Sequence, residues 1–404
     1  MLREVDKLIK KTDRPIAFVL GKYLTGGLGV VRCLGRQGIP VIWLDSGKNQ
    51  IGFLSKYCIG LRCPNPKLNE EEYIDFLICI GKKLRIKGVL FPIGDIEVFT
   101  ILNNKKRLIK YFHIKIADLK STIILLDKKL FYNTLEKLKI PHPKTYFPTT
   151  IKEIISISKT IKFPCILKPQ YSAEFVLIFK TKLFFVNSQK NLLDLYKKAV
   201  SNKQPVMIQE IIPGGSENMI GYNTYYDEKF DSYGDFMYQR IRDWPKNFGN
   251  GCYIKSIYNS KISKITSILI KKINYYGIVD AEFKKDIRDN SLKLIEINPR
   301  CWMQNSLPAR CGFNIPYFLY KDAIDIANNK NISIYKNIKW LYFTEDFKSA
   351  LESIRNKELT LKEWIKSYNG KIEYAIYAKD DPFPSLVYLP ILIFCILRYL
   401  IKKR

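Results

Sequence analysis

Two short apolar runs separated by a six-residue polar turn constrain this chain most. Asp280-Ala281-Glu282-Phe283 opens the first run, Asp286-Ile287-Arg288-Asp289-Asn290-Ser291 forms the turn, and Leu294-Ile295-Glu296-Ile297-Asn298-Pro299-Arg300 closes the second. Runs of this length around a turn rich in Asp, Asn and Ser read as a β-hairpin. Side chains alternate along a strand, so Asn298 points the same way as Glu296, and antiparallel pairing sets Glu282 on that face as well. Two carboxylates and an amide oxygen aimed at one spot repel one another unless a hard cation lies between them, and Mg²⁺ carried on phosphates suits such a set. Arg300 adds a fixed positive charge beside it. A surface hairpin with alternating polar residues is the competing reading, and distant segments decide between the two.

The 404 residues suffice for two or three domains with a sizeable core. Lys and Arg number 67 against 38 Asp and Glu, a net charge of +29, so polyanions are natural partners. The basic residues are spread through a Lys-, Ile- and Asn-rich background rather than gathered in one arm, and no specific nucleic-acid partner is expected. Nine cysteines stand singly, without a Cys-x-x-Cys pair or a histidine at metal spacing, which indicates neither zinc nor a disulfide framework and fits a reducing, cytoplasmic setting. With only His113 and His142 present, histidine-centred acid-base chemistry is not expected. Met1 to Arg14 is charged and lacks the apolar core of a signal peptide.

From Pro15 the chain reads as a Rossmann-like α/β unit: strand Ile16-Ala17-Phe18-Val19-Leu20, a glycine-rich turn from Gly21 to Gly29, a helix from Val30 to Gln37, and strand Pro40 to Asp45. The glycines either cradle a pyrophosphate or serve a tight turn; their spacing misses Gly-x-Gly-x-x-Gly. Asp45 stands where a ribose-binding acid would. A further strand, Gly88-Val89-Leu90-Phe91-Pro92, leads into Gly94-Asp95 and a helix near Glu97 to Asn103. Loops after such strands face the ligand crevice, which makes Asp95 and Glu97 candidates for substrate contact, although helix capping explains Asp95 equally well.

A Lys-rich helical segment around Asp127-Lys128 begins a second domain, followed by Phe163-Pro164-Cys165-Ile166-Leu167-Lys168-Pro169. A lysine ending a buried strand is costly unless it meets an anion or snorkels to water. After Thr181 to Val186, Val206-Met207-Ile208-Gln209-Glu210-Ile211-Ile212 runs into Pro213-Gly214-Gly215, a strand entering a sharp connector whose exposed backbone groups suit the edge of a base. Arg240 and Arg242 lie two apart on an expected strand and so share a face, either gripping an anion or facing solvent.

The order Asp127-Lys128, Leu167-Lys168-Pro169, Gln209 to Gly214, Glu217, Glu282 and Glu296-Ile297-Asn298-Pro299-Arg300 resembles the ATP-grasp superfamily over roughly Ser121 to Asn329. The resemblance implies an α/β fold with α+β lobes: a preATP-grasp Rossmann-like domain over 1–120, an ATP-grasp domain over 121–330 with a small lobe about 121–212 and a large lobe about 213–330, and a C-terminal helical extension over 331–404. It also implies ATP with Mg²⁺, two ions with Mn²⁺ as a substitute. Lys128, Lys168 and Lys182 would contact phosphates, Glu210, Ile211 and Ile212 adenine, and Glu217 ribose. Glu282, Glu296 and Asn298 would carry the metal, with Arg300 at the reacting acyl phosphate. Where the superfamily usually has a glycine-rich lid, this chain has Gln170-Tyr171-Ser172-Ala173-Glu174-Phe175. The block Tyr238 to Pro245 with Phe248-Gly249 is similar to the carboxylate-amine ligase branch that includes D-aspartate ligases and polysaccharide-cluster ligases, and assigns Arg240 and Arg242 to the substrate. That branch implies a small or glycan-linked carboxylate and an amine as partners, and it admits a homodimer. A carboxylase or carbamoyl-type ligase is the rival enzyme, and a nucleotide or polyanion binder without turnover the rival of another class.

The last twenty residues hold an uninterrupted apolar run of twelve, Leu386 to Leu397, followed by Arg398 and a close in Lys402-Lys403-Arg404. It falls short of the ~20 residues of a spanning helix. A peripheral anchor on an anionic membrane surface and a helix docked on the core are the two readings.

Overall fold

The computed structural model describes residues 2–47, 50–170, 172–326, 330, 332–333 and 335–402. The chain divides into two compact units: Met1–Thr122 with Gly215–Ala281 and Ile297–Arg404, and Ile123–Gly214 with Glu282–Glu296.

In the first unit, Ala17–Leu20, Val41–Asp45 and Gly88–Pro92 are buried along their whole length, as strands of a parallel sheet covered on both faces must be. They form a five-stranded parallel sheet in the order Ile59–Arg62, Val41–Asp45, Ala17–Leu20, Gly88–Pro92, Phe112–His113. The order reverses between Ala17–Leu20 and Gly88–Pro92, so the space beyond their carboxyl ends is a topological switch point. The expected glycine-rich turn is instead the start of helix Leu24–Gly35. Gly27 lies against Trp43 and Gly29 against Asn305 so closely that a Cβ on either would overlap those side chains. These glycines are used in packing, which removes the pyrophosphate reading.

A larger sheet runs in the order Leu292–Asn298, Gly277–Lys285, Met219–Tyr226, Gly234–Trp244, Asn250–Ile257, Ile338–Leu341, Lys371–Tyr374. The stretch 331–404, expected as a helical extension, thus also supplies two strands to this sheet. Val31, Trp43 and Phe91 share a core with Phe236, Ile254, Trp302 and Trp340. Beside that core the wholly buried Asp381 takes Arg32 Nε at 2.9 Å, Ser55 Oγ at 2.7 Å and the Lys56 N–H at 3.0 Å. A buried ion pair needs such extra hydrogen bonds to offset desolvation.

Helix Phe383–Lys402 seats two tyrosines three turns apart. Tyr388 OH lies 2.7 Å from Thr344 Oγ1, and Tyr399 meets Trp244 edge-on at 5.7 Å between ring centroids. The opposite side leaves Leu386, Phe394 and Ile401 exposed by 61, 60 and 73%. Among the described residues no helix is long and apolar enough to cross a membrane.

In the second unit, a four-stranded antiparallel sheet has the order Thr145–Tyr146, Val206–Glu210, Cys165–Pro169, Phe184–Val186. Helices Ile151–Ser158 and Gln189–Ser201 bury Ile154, Leu192 and Tyr196 with the strand residues Leu167, Val186 and Ile208. In the glycine-poor stretch after Pro169, Tyr171 lies outside the described residues, and Ser172–Phe179 is a helix whose Phe175 packs on Phe179 and Phe184. The hairpin segment Glu282–Glu296 is fastened by Leu294 N–H to Pro141 O at 2.8 Å and Tyr132 OH to Ile295 O at 2.7 Å.

Candidate active site

Of the charged residues singled out by the sequence, the second unit carries Lys128, Lys168, Lys182, Glu210, Glu282 and Glu296. Antiparallel register sets Ile166 opposite Gln209 and Lys168 opposite Met207, so Gln209 projects on the same face as Lys168. Lys168 Nζ donates to Gln209 Oε1 at 3.1 Å, and Gln209 Nε2 donates to Thr145 Oγ1 at 2.9 Å. Burial and then the nearby Lys128 bring the Lys168 ammonium down to about 8, while Glu296 and Glu282 pull it back up. Two lysines and two carboxylates therefore act on one another here.

Lys128 is the first residue of helix Lys128–Lys137, capped by Asp127 Oδ1, which accepts the Lys129 and Leu130 N–H groups at 2.9 Å each. A cation in the first turn opposes the helix dipole. Its Nζ donates to Pro169 O at 3.1 Å, next to Lys168 in sequence. Paired lysines with two carboxylates near them suit a polyanion that brings its own cation.

Glu210 is positioned differently from expectation. Its carboxylate accepts the Lys144 N–H at 2.9 Å and Arg288 Nη2 at 3.2 Å, so the side chain anchors the end of its strand. What remains toward a base is the backbone of Ile211 and Ile212, of which Ile212 is buried. Lys182 is exposed in the link before Phe184–Val186, with no hydrogen bond or ion pair to the Lys128 and Lys168 group among the described residues.

In the first unit, Asn298 Nδ2 donates to Asp280 Oδ2 at 3.1 Å, and Asn223 Nδ2 donates to Asp280 Oδ1 at 2.8 Å. Arg300 Nη2 donates to Asn298 Oδ1 at 3.2 Å, and Arg300 Nε pairs with Asp95. Asp280 thereby fixes which way the Asn298 amide faces, a role that sequence reading missed. The signal was present: Asp280 stands two residues before Glu282 on one strand, hence on the same face. Asn223, on the strand Met219–Tyr226, left no such signal. Glu217 sits exposed in the turn Ser216–Asn218, its Oε1 accepting the Gly215 N–H at 3.2 Å.

Of the expected metal set, Glu282 and Glu296 belong to the second unit and Asn298 to the first. No group of three or more His, Cys, Asp or Glu side chains fit to hold a metal occurs among the described residues. The two carboxylates of the second unit suit Mg²⁺ that keeps phosphate and water ligands, rather than an all-protein cage.

The two arginines assigned to the substrate are engaged elsewhere. A β-bulge between Arg240 and Arg242 pairs the first with Ile254 and the second with Tyr253, adjacent residues that face opposite ways, so the arginines do not share a face. Arg242 makes a two-pronged ion pair with buried Asp346, at 2.6 and 3.1 Å, and stacks on Tyr253 with its guanidinium carbon 4.8 Å from the ring centroid. Arg240 is buried and donates to Gly249 O at 2.8 Å. The periodic pattern gives no hint of the extra residue that turns them.

No family model matches the chain. It is 28% identical over 253 residues to D-aspartate ligase of Enterococcus faecium, covering 59% of this chain and 59% of that protein. With the carbamoyl phosphate synthase large chain of Campylobacter jejuni it is 26% identical over 241 residues, 57% of this chain and 21% of that one. The chain thus spans less than two thirds of the length of either curated relative. Among solved structures it is similar to biotin carboxylase of Campylobacter jejuni in complex with β-γ-ATP, at a TM-score of 0.62 and 14% identity over 80% of this chain and 74% of that one. At that identity the likeness concerns the fold alone.

Proposed function

We propose that this chain is an ATP-grasp enzyme, an ATP-dependent carboxylate-amine ligase joining a small or glycan-linked carboxylate to an amine, a reading supported by its similarity to D-aspartate ligase. The observation that carries this reading is Lys168, set on one face with Gln209 and acted on by Lys128, Glu282 and Glu296. Lys128 and Lys168 hold the ATP phosphates, the backbone of Ile211 and Ile212 takes the adenine edge, and Glu217 takes the ribose hydroxyls. Glu282, Glu296 and Asn298 would hold Mg²⁺, two ions with Mn²⁺ as a substitute, which supplies neutralising charge to the phosphates. A substrate carboxylate oxygen attacks the γ-phosphorus, and the bond to the β-phosphate oxygen breaks to release ADP. Arg300 offsets the charge of the acyl phosphate so formed. The amine nitrogen then attacks the acyl carbon, the carbon–oxygen bond to phosphate breaks, and loss of a proton leaves the amide. Positioning and charge carry this chemistry, so two histidines in the whole chain are no obstacle.

ADP release, screened over pools of amino acids, uronic acids and amines, identifies the substrates. Glu296→Gln keeps the shape and removes one charge, and it should lower ADP production by about a hundredfold or more while leaving the melting temperature in place. Near-normal turnover in that variant would defeat the assignment.

The exposed side of helix Phe383–Lys402 favours a further reading on location: peripheral contact with an anionic membrane surface. Large apolar side chains face outward there, and from Phe383 to Arg404 the sequence has Arg398, Lys402, Lys403 and Arg404 but no acidic residue.

A further inference from the structure

At the carboxyl edge of the five-stranded sheet, Asp45 closes the strand Val41–Asp45, and Glu97 lies against Gly21 and Gly94. Parallel register aligns Leu20 with both Leu44 and Pro92, so the residues that follow, Gly21, Asp45 and Ile93, come out at one edge. This is the switch point, where ligands of open α/β sheets are received. Gly21 has φ +125°, and a Cβ on it would come within 3.3 Å of Glu97 Oε1. A Cβ on Gly94 would overlap Glu97 Oε2 and lie 3.3 Å from Tyr23 Cε2. The Glu97 carboxyl therefore lies across the gap between the two strand ends.

Buried polar atoms around it lack partners. Asp45 is 1% exposed; its Oδ1 accepts the Gly47 N–H at 2.8 Å, while Oδ2 has no hydrogen bond. The Tyr73 hydroxyl, on a side chain 1% exposed, has none either. Burial pushes Tyr73 well up, and the charges of Cys63, Glu97 and Asp45 add to the rise. Burial likewise lifts Glu97 to about 7, with Asp95 and Asp45 raising it and Lys22 lowering it. Unpartnered buried acceptors are costly and indicate a missing donor. In a chain of net charge +29, a pair of acids around an acceptor hydroxyl selects a cation that donates several hydrogen bonds. Arg300 is adjacent through its pair with Asp95, the first residue of the helix that carries Glu97.

We propose that Asp45, Glu97 and the Tyr73 hydroxyl receive the ammonium group of the amine substrate, so that the first unit selects the nucleophile. This rests on the ligase reading above. A primary ammonium has three N–H donors, matching Asp45 Oδ2, Glu97 and Tyr73.

The test is thermal and calorimetric titration of the full chain, with and without MgADP. The probes are the proteinogenic amino acids, D-aspartate, methylamine and 1,3-diaminopropane, with succinate and acetate as partners lacking the amine. At least one ammonium compound should raise the melting temperature of the MgADP-loaded protein, and its deaminated partner should not. Glu97→Gln and Asp45→Asn should each weaken that compound by at least about tenfold, with the MgADP shift retained. Tyr73→Phe serves as a third variant should either of these fail to fold. If no ammonium compound protects the wild type while MgADP does, or if all folded variants bind the amine as tightly as the wild type, the assignment falls. If MgADP itself gives no shift, the nucleotide reading fails instead, and the two failures are distinct.

Discussion

On the proposed nucleotide reading, a lysine held near the middle of the accessible pH range would make binding sensitive to pH. In the free protein Lys168 loses its proton at about 8, below the ordinary lysine value of 10.5, because burial and Lys128 oppose its charge. Below about 8 the lysine is charged in both folded and unfolded chains, and its burial costs stability. Between about 8 and 10.5 the unfolded chain holds the proton and the folded chain does not, so this group's contribution to stability rises with pH across that window. A bound polyphosphate favours the charged form, so binding above about 8 takes up a proton and weakens as pH rises. Calorimetry of MgADP in buffers of different ionisation heat should show both effects, and Lys168→Arg, which keeps its charge, should flatten them. A pH-independent affinity in the wild type would show that Lys168 does not meet the phosphates. Lys168 was legible from sequence because a charged residue at the end of an apolar run is conspicuous. The capture of Glu210 by Arg288 and the Lys144 N–H was not, because it depends on a contact between segments distant in sequence.

Strands and helices were legible where their period was clean and failed where one residue broke it. The buried parallel strands declare themselves as apolar runs, and the hairpin turn is closed by Asp286 N–H to Ser291 O at 2.8 Å, within the stretch read as a turn. The glycines of Leu24–Gly35 misled because glycine marks a turn and a close helix contact alike, and only the position of Trp43 separates them. The bulge in Gly234–Trp244 reassigned Arg242 from a ligand contact to the packing of helix Phe343–Arg355, which carries Asp346. Arg242→Ala leaves Asp346 buried and charged, and it should cost roughly 3–5 kcal/mol in denaturant unfolding. Removing both partners should cost less than the sum of the single changes. Unchanged stability in Arg242→Ala would return the residue to the list of ligand contacts.

For the whole chain, the proposed contact with a lipid surface would draw on the large positive charge and the apolar face of Phe383–Lys402 together. Each basic residue close to anionic lipid adds about 1 kcal/mol, and burial of the apolar side adds to that. The intact protein should sediment with anionic liposomes, release in part with salt, and ignore neutral ones, whereas a chain ending at Pro384 should stay in the supernatant. Equal partitioning of both would rule the contact out. The parallel strands of the first unit and the strand ending at Lys168 were legible from their apolar runs, but the way the units share the chain was not, since composition does not change where one takes over from the other. Four backbone crossings join the units, and the second is built from two separate stretches. A contiguous fragment ending at Gly214 therefore carries both lysines and neither carboxylate. Any graft of this proposed phosphate site into another scaffold has to import the Glu282–Glu296 hairpin as a second, independently anchored insert.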